Sequence, residues 1–520
     1  MNLWATAVFT ADYMLPIRKN ERRNMNKTFE EFKKMIAGKR VAVIGVGISN
    51  RPLIKWLNKL GAQVTAFDRL EEDDPSISKV KKEFADEGID ISWSLGRDYL
   101  DVLMNNDYDY VFKTPKMRYT EPALAAAKNN GSVLTTEMEL FMNLCPAKIF
   151  AITGSDGKTT TTTLVSELLK AAGFKVWLGG NIGTPLLDQI EFISEDDMVV
   201  LELSSFQLLD CVTSADVAVV TNVTPNHLDF HKDYNEYIDA KTNIFKYQSP
   251  MGKVVLNAAC DITYKMKEQV RGNVSFFALD KMVASRSGSD LYTKAYVDEE
   301  GYLVLASGEE ETKLIKEDEI LIPGKHNVEN YLAAALATEG YVSQEAFEQV
   351  AKTFKGVAHR IEFIRELDGV KYYNSSIDTS PNRTMNTMNA LASRGQKGVL
   401  ICGGADKKCD YTGLGDAILN VSDRIIIYGT NACFVKDILA KEANGRQYEV
   451  LEIEGGDEVY EFPEGRDIVI SKYVEALEKA RKMAKAGEIV IMSNIGTSYD
   501  HFRHFEHRGD MFRDLVNELT

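Results

Sequence analysis

At 520 residues the chain is too long for one hydrophobic core, and its 44% apolar and 27% charged residues are an ordinary globular mixture. A net charge of −16 excludes a general nucleic-acid binder, which needs a basic face. No apolar run reaches membrane-spanning length, and six scattered cysteines without a Cys-x-x-Cys pair point to reduced thiols and a cytoplasmic protein.

The chain opens with a mildly apolar stretch followed by a basic cluster, Arg18-Lys-Asn-Glu-Arg-Arg23, the reverse of a signal peptide's order. Residues 1–24 are expected to be a disordered extension, and 28–37 an amphipathic helix, so that 1–38 precede the first domain. From Arg40 an apolar run, Val41-Ala-Val-Ile44, meets Gly45-Val-Gly47-Ile-Ser49-Asn50, then a helix and a second strand ending in Asp68. That is a Rossmann-like strand, loop, helix and strand. Asn50 stands where a dinucleotide loop has its third glycine, so a plain tight turn and a dinucleotide site both remain open. Later strands at 107–112 and 132–134 complete a first domain, 39–146.

A second unit begins with strand Lys148-Ile-Phe-Ala-Ile152 and Thr153-Gly154-Ser155-Asp156-Gly157-Lys158-Thr159-Thr160. A strand, a glycine loop and a helix start are what a phosphate cradle needs. Backbone N–H groups face the anion, a lysine reaches the terminal phosphates and a hydroxyl ligates magnesium. The standard pattern asks for glycine where Ile152 stands. A glycine turn carrying Asn181 follows, then a buried strand, 198–203, with one acid, Glu202, near its end. A further strand, 217–223, runs into Thr224-Pro-Asn-His227-Leu-Asp229. An acid and a histidine at neighbouring strand ends suit metal positions. Lys241, on a helix at 234–245, has nothing in its spacing to single it out. Short strands fill 253–323, including 320–322. A helix opens near His326-Asn327-Val-Glu-Asn330, where Asn327 reads as a cap and Asn330 does not. Beyond Ala358, strands at 372–373, 398–402, 424–428 and 488–492 alternate with helices, a third domain of doubly wound α/β type, 358–520.

In this order the motifs resemble the Mur ligases, the ATP-dependent amide-forming enzymes of peptidoglycan synthesis, over nearly the whole chain from Lys39. The carrying residues are Thr-Gly-Ser-Asp-Gly-Lys-Thr (153–159), Gly-Asn-Ile-Gly (180–183), Leu-Glu-Leu-Ser-Ser-Phe-Gln-Leu (201–208) and Asn-Val-Thr-x-x-His-Leu-Asp (222–229). His-Asn-x-x-Asn (326–330), His-Arg-Ile-Glu (359–362) and Phe-Glu-His-Arg-Gly-Asp (505–510) complete the set. The stretches 201–208 and 505–510 are similar to the branch that adds D-glutamate to UDP-N-acetylmuramoyl-L-alanine.

The resemblance implies three α/β domains: a Rossmann-like UDP-substrate domain, a central P-loop ATPase over 147–357 and a Rossmann-like C-terminal amino-acid domain. It implies phosphorylation of a carboxylate by ATP and attack of an amine on the acyl phosphate. Carried over by motif, Lys158 meets the β- and γ-phosphates, Thr159 and Glu202 hold one magnesium, and His227 holds another. Lys241, as a carbamate, joins the metal site. Asn327, Asn330 and Arg360 serve ATP beside Gly154, Ser155, Asp156, Gly157 and Thr160. Gly45, Gly47, Ser49, Asp68 and Asn181 serve the UDP substrate, while Thr379, Lys407, Ser498 and Phe505 serve D-glutamate. A monomer is implied, without nucleic-acid or membrane partners.

Three departures bear on substrate and nucleotide. Asn374-Ser375-Ser-Ile377 replaces the family's Asn-Asp-Ser-Lys, with Asp378 as a shifted acid; Gly496 lies in a changed stretch, Ser493 to Ser498; and Asp156 replaces an asparagine. A ligase for another amino acid or acceptor, and a nucleotide-binding paralogue without turnover, are the alternatives these leave.

Overall fold

Near-continuous apolar runs in the sequence become strands buried on both faces, the signature of parallel sheets covered by helices. The structure, a computed structural model, describes residues 28–47, 50–105, 107–225, 230–286, 291–406, 409–453, 471–498, 502 and 504–520. His227, Ser49, Lys407 and the expected N-terminal extension lie outside the described residues. The fold is α/β throughout, in two compact units: one runs to Lys158 and includes 173–256 and 260–275, the other comprises 159–172, 257–259 and 276–520.

In the first unit, helix α1 (Thr28–Ile36) leads into strands β1 (Arg40–Ile44), β2 (Gln63–Asp68), β3 (Ser92–Leu95), β4 (Tyr110–Phe112) and β5 (Val133–Thr135). They form one parallel sheet in the order β3-β2-β1-β4-β5, with α2 (Asn50–Lys59) between β1 and β2. Helix α3 (Glu137–Leu144) follows, its first turn capped by the Thr136 hydroxyl, which accepts from the Glu139 N–H. Strands β6 (Lys148–Thr153), β7 (Val176–Gly180), β8 (Met198–Glu202), β9 (Val217–Val220) and β10 (Lys253–Asn257) are parallel in the order β10-β9-β6-β8-β7. The carboxyl ends of β6, β8 and β9 deliver residues 153–158, 202–207 and 221–225 to one edge, where ligands of parallel α/β sheets bind. Helices α4 (Lys158–Ala171) and α5 (Tyr234–Lys246) follow β6 and β9.

Strand β11 (Asn273–Asp280) carries the chain into the second unit. There β12 (Thr293–Val297), β13 (Tyr302–Ser307) and β14 (Glu310–Lys316) make an antiparallel meander. The expected strand at 320–322 is not formed. Its backbone groups bond elsewhere: the Leu321 N–H donates to the Ala351 carbonyl at 3.0 Å, and Arg394 donates to the carbonyls of Ile320 and Ile322 at 3.1 and 2.9 Å. Helix α6 (Lys325–Thr338) starts earlier than expected, capped by Gly324, so Asn327 sits inside the first turn and is not the cap. The last sheet, order β15-β16-β20-β17-β18-β19, contains β15 (Glu362–Leu367), β16 (Val370–Ser375), β17 (Gly398–Gly403), β18 (Ser422–Tyr428), β19 (Glu449–Glu452) and β20 (Ile489–Ser493). All neighbours are parallel except β15, an antiparallel edge strand that the sequence reading lacked. Helices α7 (Pro381–Ala392) and α8 (Phe505–Glu518) follow β16 and β20 in the chain.

One buried acid in the first unit is poorly compensated. Glu137, the first residue of α3, is 8% exposed, and its Oε1 meets no hydrogen-bond donor. Burial, reinforced by the nearby Asp188 charge, pushes its carboxyl up to about 7. A rise from 4.5 to about 7 is worth about 3 kcal/mol, and its sign is unfavourable to the fold once the group ionises. Stability should therefore fall as pH rises from 4.5 to 7 and level off above. Glu137→Gln removes that ionisation. Its melting midpoint should exceed the wild-type value at pH 8 and approach it at pH 5; an equal difference at both would contradict the assignment.

Candidate active site

Gly154 opens the loop after β6 because nothing larger fits: a Cβ there would lie 1.9 Å from the Thr221 hydroxyl oxygen. The loop is then pinned to the end of β9. The Ser155 N–H donates to the Asn222 carbonyl at 2.9 Å, the Asp156 N–H to Asn222 Oδ1 at 2.9 Å, and the Thr221 hydroxyl to the Asp156 carbonyl at 2.6 Å. The Ser155 hydroxyl shares a 2.9 Å hydrogen bond with the Tyr237 hydroxyl of α5. Asp156 itself is exposed, so the charge that replaces the family's asparagine stands in water. Lys158 folds back, its Nζ donating to the carbonyls of Gly154 and Ser155 at 3.0 and 2.9 Å. Thr159 and Thr160 continue α4 in the second unit.

Lys241 is brought to the same loop. Its Nζ, on a side chain almost fully buried in α5, donates to the Gly154 carbonyl at 2.8 Å and lies 4.5 Å from the centre of the Tyr237 ring. Burial and then the positive charge of Lys158 hold its ammonium well below the ordinary lysine range. A buried lysine displaced toward its neutral form is a nucleophilic amine, and only the fold reveals it.

Glu202 ends β8 and is 1% exposed. The turn after β7 holds it twice: the Asn181 N–H donates to its backbone carbonyl at 2.7 Å, and Asn181 Nδ2 to its Oε1 at 2.8 Å. That approach requires Gly180, at φ +100°, where a Cβ would lie 2.1 Å from the Glu202 carbonyl oxygen. The other carboxylate oxygen, Oε2, is buried with no hydrogen-bond donor among the described residues. An uncompensated buried carboxylate oxygen at the rim of a glycine loop suits a hard divalent cation, whose preferred ligands are carboxylate oxygens.

The described residues from Phe230 onward, with Arg118, include ones that the motif reading missed. His231 is buried, its Nε2 3.0 Å from the Ser205 hydroxyl and its Nδ1 3.4 Å from Glu236, with its ring stacked on Phe206. Arg118 grips both Glu236 oxygens at 2.7 Å and the Phe230 carbonyl at 2.6 Å. This bidentate fork holds the Glu236 carboxyl down to about 2. The signal was available in part, since Ser205 and Phe206 lie within the 201–208 motif.

The first loop of the chain has a different logic. Gly45 adopts φ +88°, and Asn50 explains its own presence in place of glycine. Its Nδ2 donates to the carbonyls of Ile44 and Gly45, both at 3.0 Å. Asp68 accepts the Val46 N–H at 2.9 Å on one oxygen and the Leu70 N–H at 3.1 Å on the other, so its first task is to fix the turn before Gly47.

In the second unit the Thr161 hydroxyl donates to Asn330 Oδ1, Asn330 Nδ2 to Asn327 Oδ1, and Asn327 Nδ2 to the Pro323 carbonyl, at 3.1, 3.2 and 2.5 Å. The chain of amides fixes the start of α6 against α4. Arg360 stands between two residues in the left-handed region, His359 at φ +64° and Ile361 at φ +45°. A β-branched residue there is strained, a cost of order 1–3 kcal/mol that proteins keep where a side chain must be aimed. Ser375, in place of the family's acid, accepts the Ile361 N–H at 3.2 Å and so braces this turn. Asp378 is buried, accepting from the Thr387 and Ser493 hydroxyls at 2.8 and 2.7 Å, and burial pushes its carboxyl up. Thr379, Ser498 and Phe505 follow β16, follow β20 and begin α8.

Residues 152–338 match the model of the Mur ligase middle domain. A UDP-N-acetylmuramoylalanine–D-glutamate ligase of Acetivibrio thermocellus is 45% identical over 95% of this chain and all of its own length. The enzyme of that name from Clostridium perfringens is 44% identical with the same coverage. Among solved structures, the UDP-N-acetylmuramate-alanine ligase MurC of Thermotoga maritima has a TM-score of 0.52 at 17% identity, covering 92% of this chain and 99% of its own. MurF of Acinetobacter baumannii has a TM-score of 0.54 at 14% identity, covering 94% of this chain and 92% of its own. At such identities the two structures support the fold.

The double clamp on Glu202 can be broken at one atom. Gly180→Ala should cost about 3 kcal/mol or more, because both the dihedral and the backbone approach forbid a Cβ. Asn181→Ala, which removes a charge-assisted hydrogen bond to the buried Glu202 carboxylate but leaves the backbone approach intact, should cost about 2 kcal/mol. Thermal melts of the two variants check the order; a Gly180→Ala midpoint at the wild-type value would contradict the geometry.

Proposed function

The chain belongs to the Mur ligase family, and from that premise we propose that it is an ATP-dependent ligase joining D-glutamate to the carboxylate of UDP-N-acetylmuramoyl-L-alanine. The carboxylate is activated as an acyl phosphate, and the amine of D-glutamate displaces phosphate to form the amide. The observation that carries this reading is Glu202, a buried carboxylate with one oxygen clamped and the other without a donor among the described residues, beside a phosphate-type loop. ATP supplies the phosphoryl group, and magnesium the positive charge that lets a carboxylate and a polyphosphate approach.

Each residue of this chain then has a task. The pinned loop, Gly154 to Gly157, is proposed to hold the phosphates through N–H groups other than those of Ser155 and Asp156, which Asn222 takes. Lys158 swings from the carbonyls it now contacts to the terminal phosphates, and Thr159 and Thr160 follow it at the helix start. Glu202 and His227 are proposed as metal ligands, with Lys241 joining them as a carbamate. The displaced charge of Lys241 supports that step, since only the neutral amine reacts with carbon dioxide. Asn181, fixed by Glu202, orients the acceptor substrate. The Gly45–Gly47 turn, with Ser49 and Asp68, is proposed to take the UDP portion. Asn327, Asn330 and Arg360 are proposed to serve the nucleotide, and Thr379, Lys407, Ser498 and the backbone at Phe505 the amino acid. Lysine and hydroxyl groups suit the two acidic ends of a dicarboxylate.

Phosphate release should require ATP, magnesium, UDP-N-acetylmuramoyl-L-alanine and D-glutamate together. L-glutamate and D-aspartate should support little. Lys158→Ala should lower the rate by about a hundredfold or more. Release with a different amino acid would move the specificity, and none at all would overturn the ligase reading. Labelled bicarbonate should give a carbamate carbon signal that disappears in Lys241→Arg; a signal that persists would remove Lys241 from the metal site.

A further inference from the structure

Arg508, on the second turn of α8, is 0% exposed, and among the described residues no carboxylate reaches its guanidinium. Its Nε donates to the Ser376 hydroxyl at 3.0 Å, one Nη to the Ser376 carbonyl at 2.9 Å, and the other makes a long contact, 3.5 Å, with the Gly496 carbonyl. The Ser376 hydroxyl, fully buried as well, donates onward to the Phe505 carbonyl at 2.7 Å. The Ser376 N–H is taken by Asn374 Oδ1 at 3.1 Å.

Sequestering a charge among neutral acceptors costs several kcal/mol, and an apolar side chain of similar volume would fill the space more cheaply. What the guanidinium provides is a rigid fork that fixes several acceptors at set angles, which neither lysine nor an apolar residue can reproduce. Here the acceptors belong to the turn after β16, the turn after β20 and, through the Ser376 hydroxyl, the first residue of α8. Each segment carries one group proposed above for the amino acid: Thr379, Ser498 and the backbone at Phe505.

We infer that Arg508 is a positioning residue for the amino-acid substrate, acting through the Ser376 hydroxyl to set the spacing of the three segments that grip it. The inference rests on the D-glutamate reading of that pocket. It places the specificity of the pocket partly in a residue that touches no substrate. The departure at Gly496 then has a use, because that residue's carbonyl faces the guanidinium and its Cα has no room for a side chain: a Cβ would lie 2.5 Å from the Ala405 carbonyl oxygen.

The test is steady-state kinetics of the full chain with ATP, UDP-N-acetylmuramoyl-L-alanine and the amino acid varied in turn, in wild type, Arg508→Lys and Ser376→Ala. Wild-type turnover across an amino-acid panel first identifies the accepted amino acid, so a failure of the D-glutamate reading appears there and not in the variants. Both variants should raise the KM for that amino acid about tenfold, as loss of one or two oriented hydrogen bonds does, with the other two KM values within about twofold. Ser376→Ala, the smaller change, keeps the test intact if Arg508→Lys fails to fold. An amino-acid KM within twofold of wild type in a folded variant would overturn the inference. So would a parallel rise of all three KM values, the mark of a purely structural role.

Discussion

A carboxylate taken out of water must be repaid by donors or cations, and Glu202 has been repaid on one side only. Asn181 satisfies Oε1, while Oε2 is buried without a donor among the described residues. Much of the first unit's second sheet serves that imbalance. β8 is apolar along its length, so the acid arrives at the strand end with no neighbouring polar group of its own strand. Gly180 lets the β7 turn approach the Glu202 backbone, and the same turn supplies Asn181. On the other side of β6, Lys241 is buried against the Gly154 carbonyl, its ammonium disfavoured by burial and by Lys158. A buried carboxylate and a lysine whose ammonium is disfavoured by burial, both beside one glycine loop, are the kind of costly arrangement found at functional sites.

The second unit manages cost differently. There the strain is in the backbone, at His359 and Ile361 on either side of Arg360, and in the Arg508 guanidinium, buried with no counter-ion among the described residues. Two serines after β16, Ser375 where the family pattern has an acid and Ser376 where it has a serine, are structural members. Ser375 braces the Arg360 turn, and Ser376 links Arg508 to Phe505. Asp378 is spent on two hydroxyls inside the sheet edge rather than held out toward a ribose. Gly509 belongs to the same economy, because a Cβ there would strike the His359 ring at 2.1 Å.

Strand-and-glycine patterns were legible in the sequence because they follow from local chemistry. The apolar runs at 41–44, 148–152 and 198–203 could only be parallel strands, and the glycines at 154 and 157 could only mark a turn before a helix. Asn50 and Asn327 were harder: each is an asparagine whose amide bonds to carbonyls nearby, and sequence offers no way to separate such an amide from a cap or a ligand. Lys241, which only the family resemblance singled out, and Arg508 could not be read from spacing for another reason. Their meaning lies in burial, which depends on segments distant in the chain, and a lone charged residue on a helix reads as solvated until the fold is known. Strand β15 was lost because Glu362 to Leu367 runs Glu-Phe-Ile-Arg-Glu-Leu, without the period-two alternation that marks a strand.

The most direct test of the account follows the oxygen of the acceptor carboxylate. With UDP-N-acetylmuramoyl-L-alanine labelled with heavy oxygen at that carboxylate, each turnover should place one labelled oxygen in the released inorganic phosphate. That transfer requires an acyl phosphate, the intermediate proposed for this ligase. Phosphate released without label, while amide still forms, would contradict it.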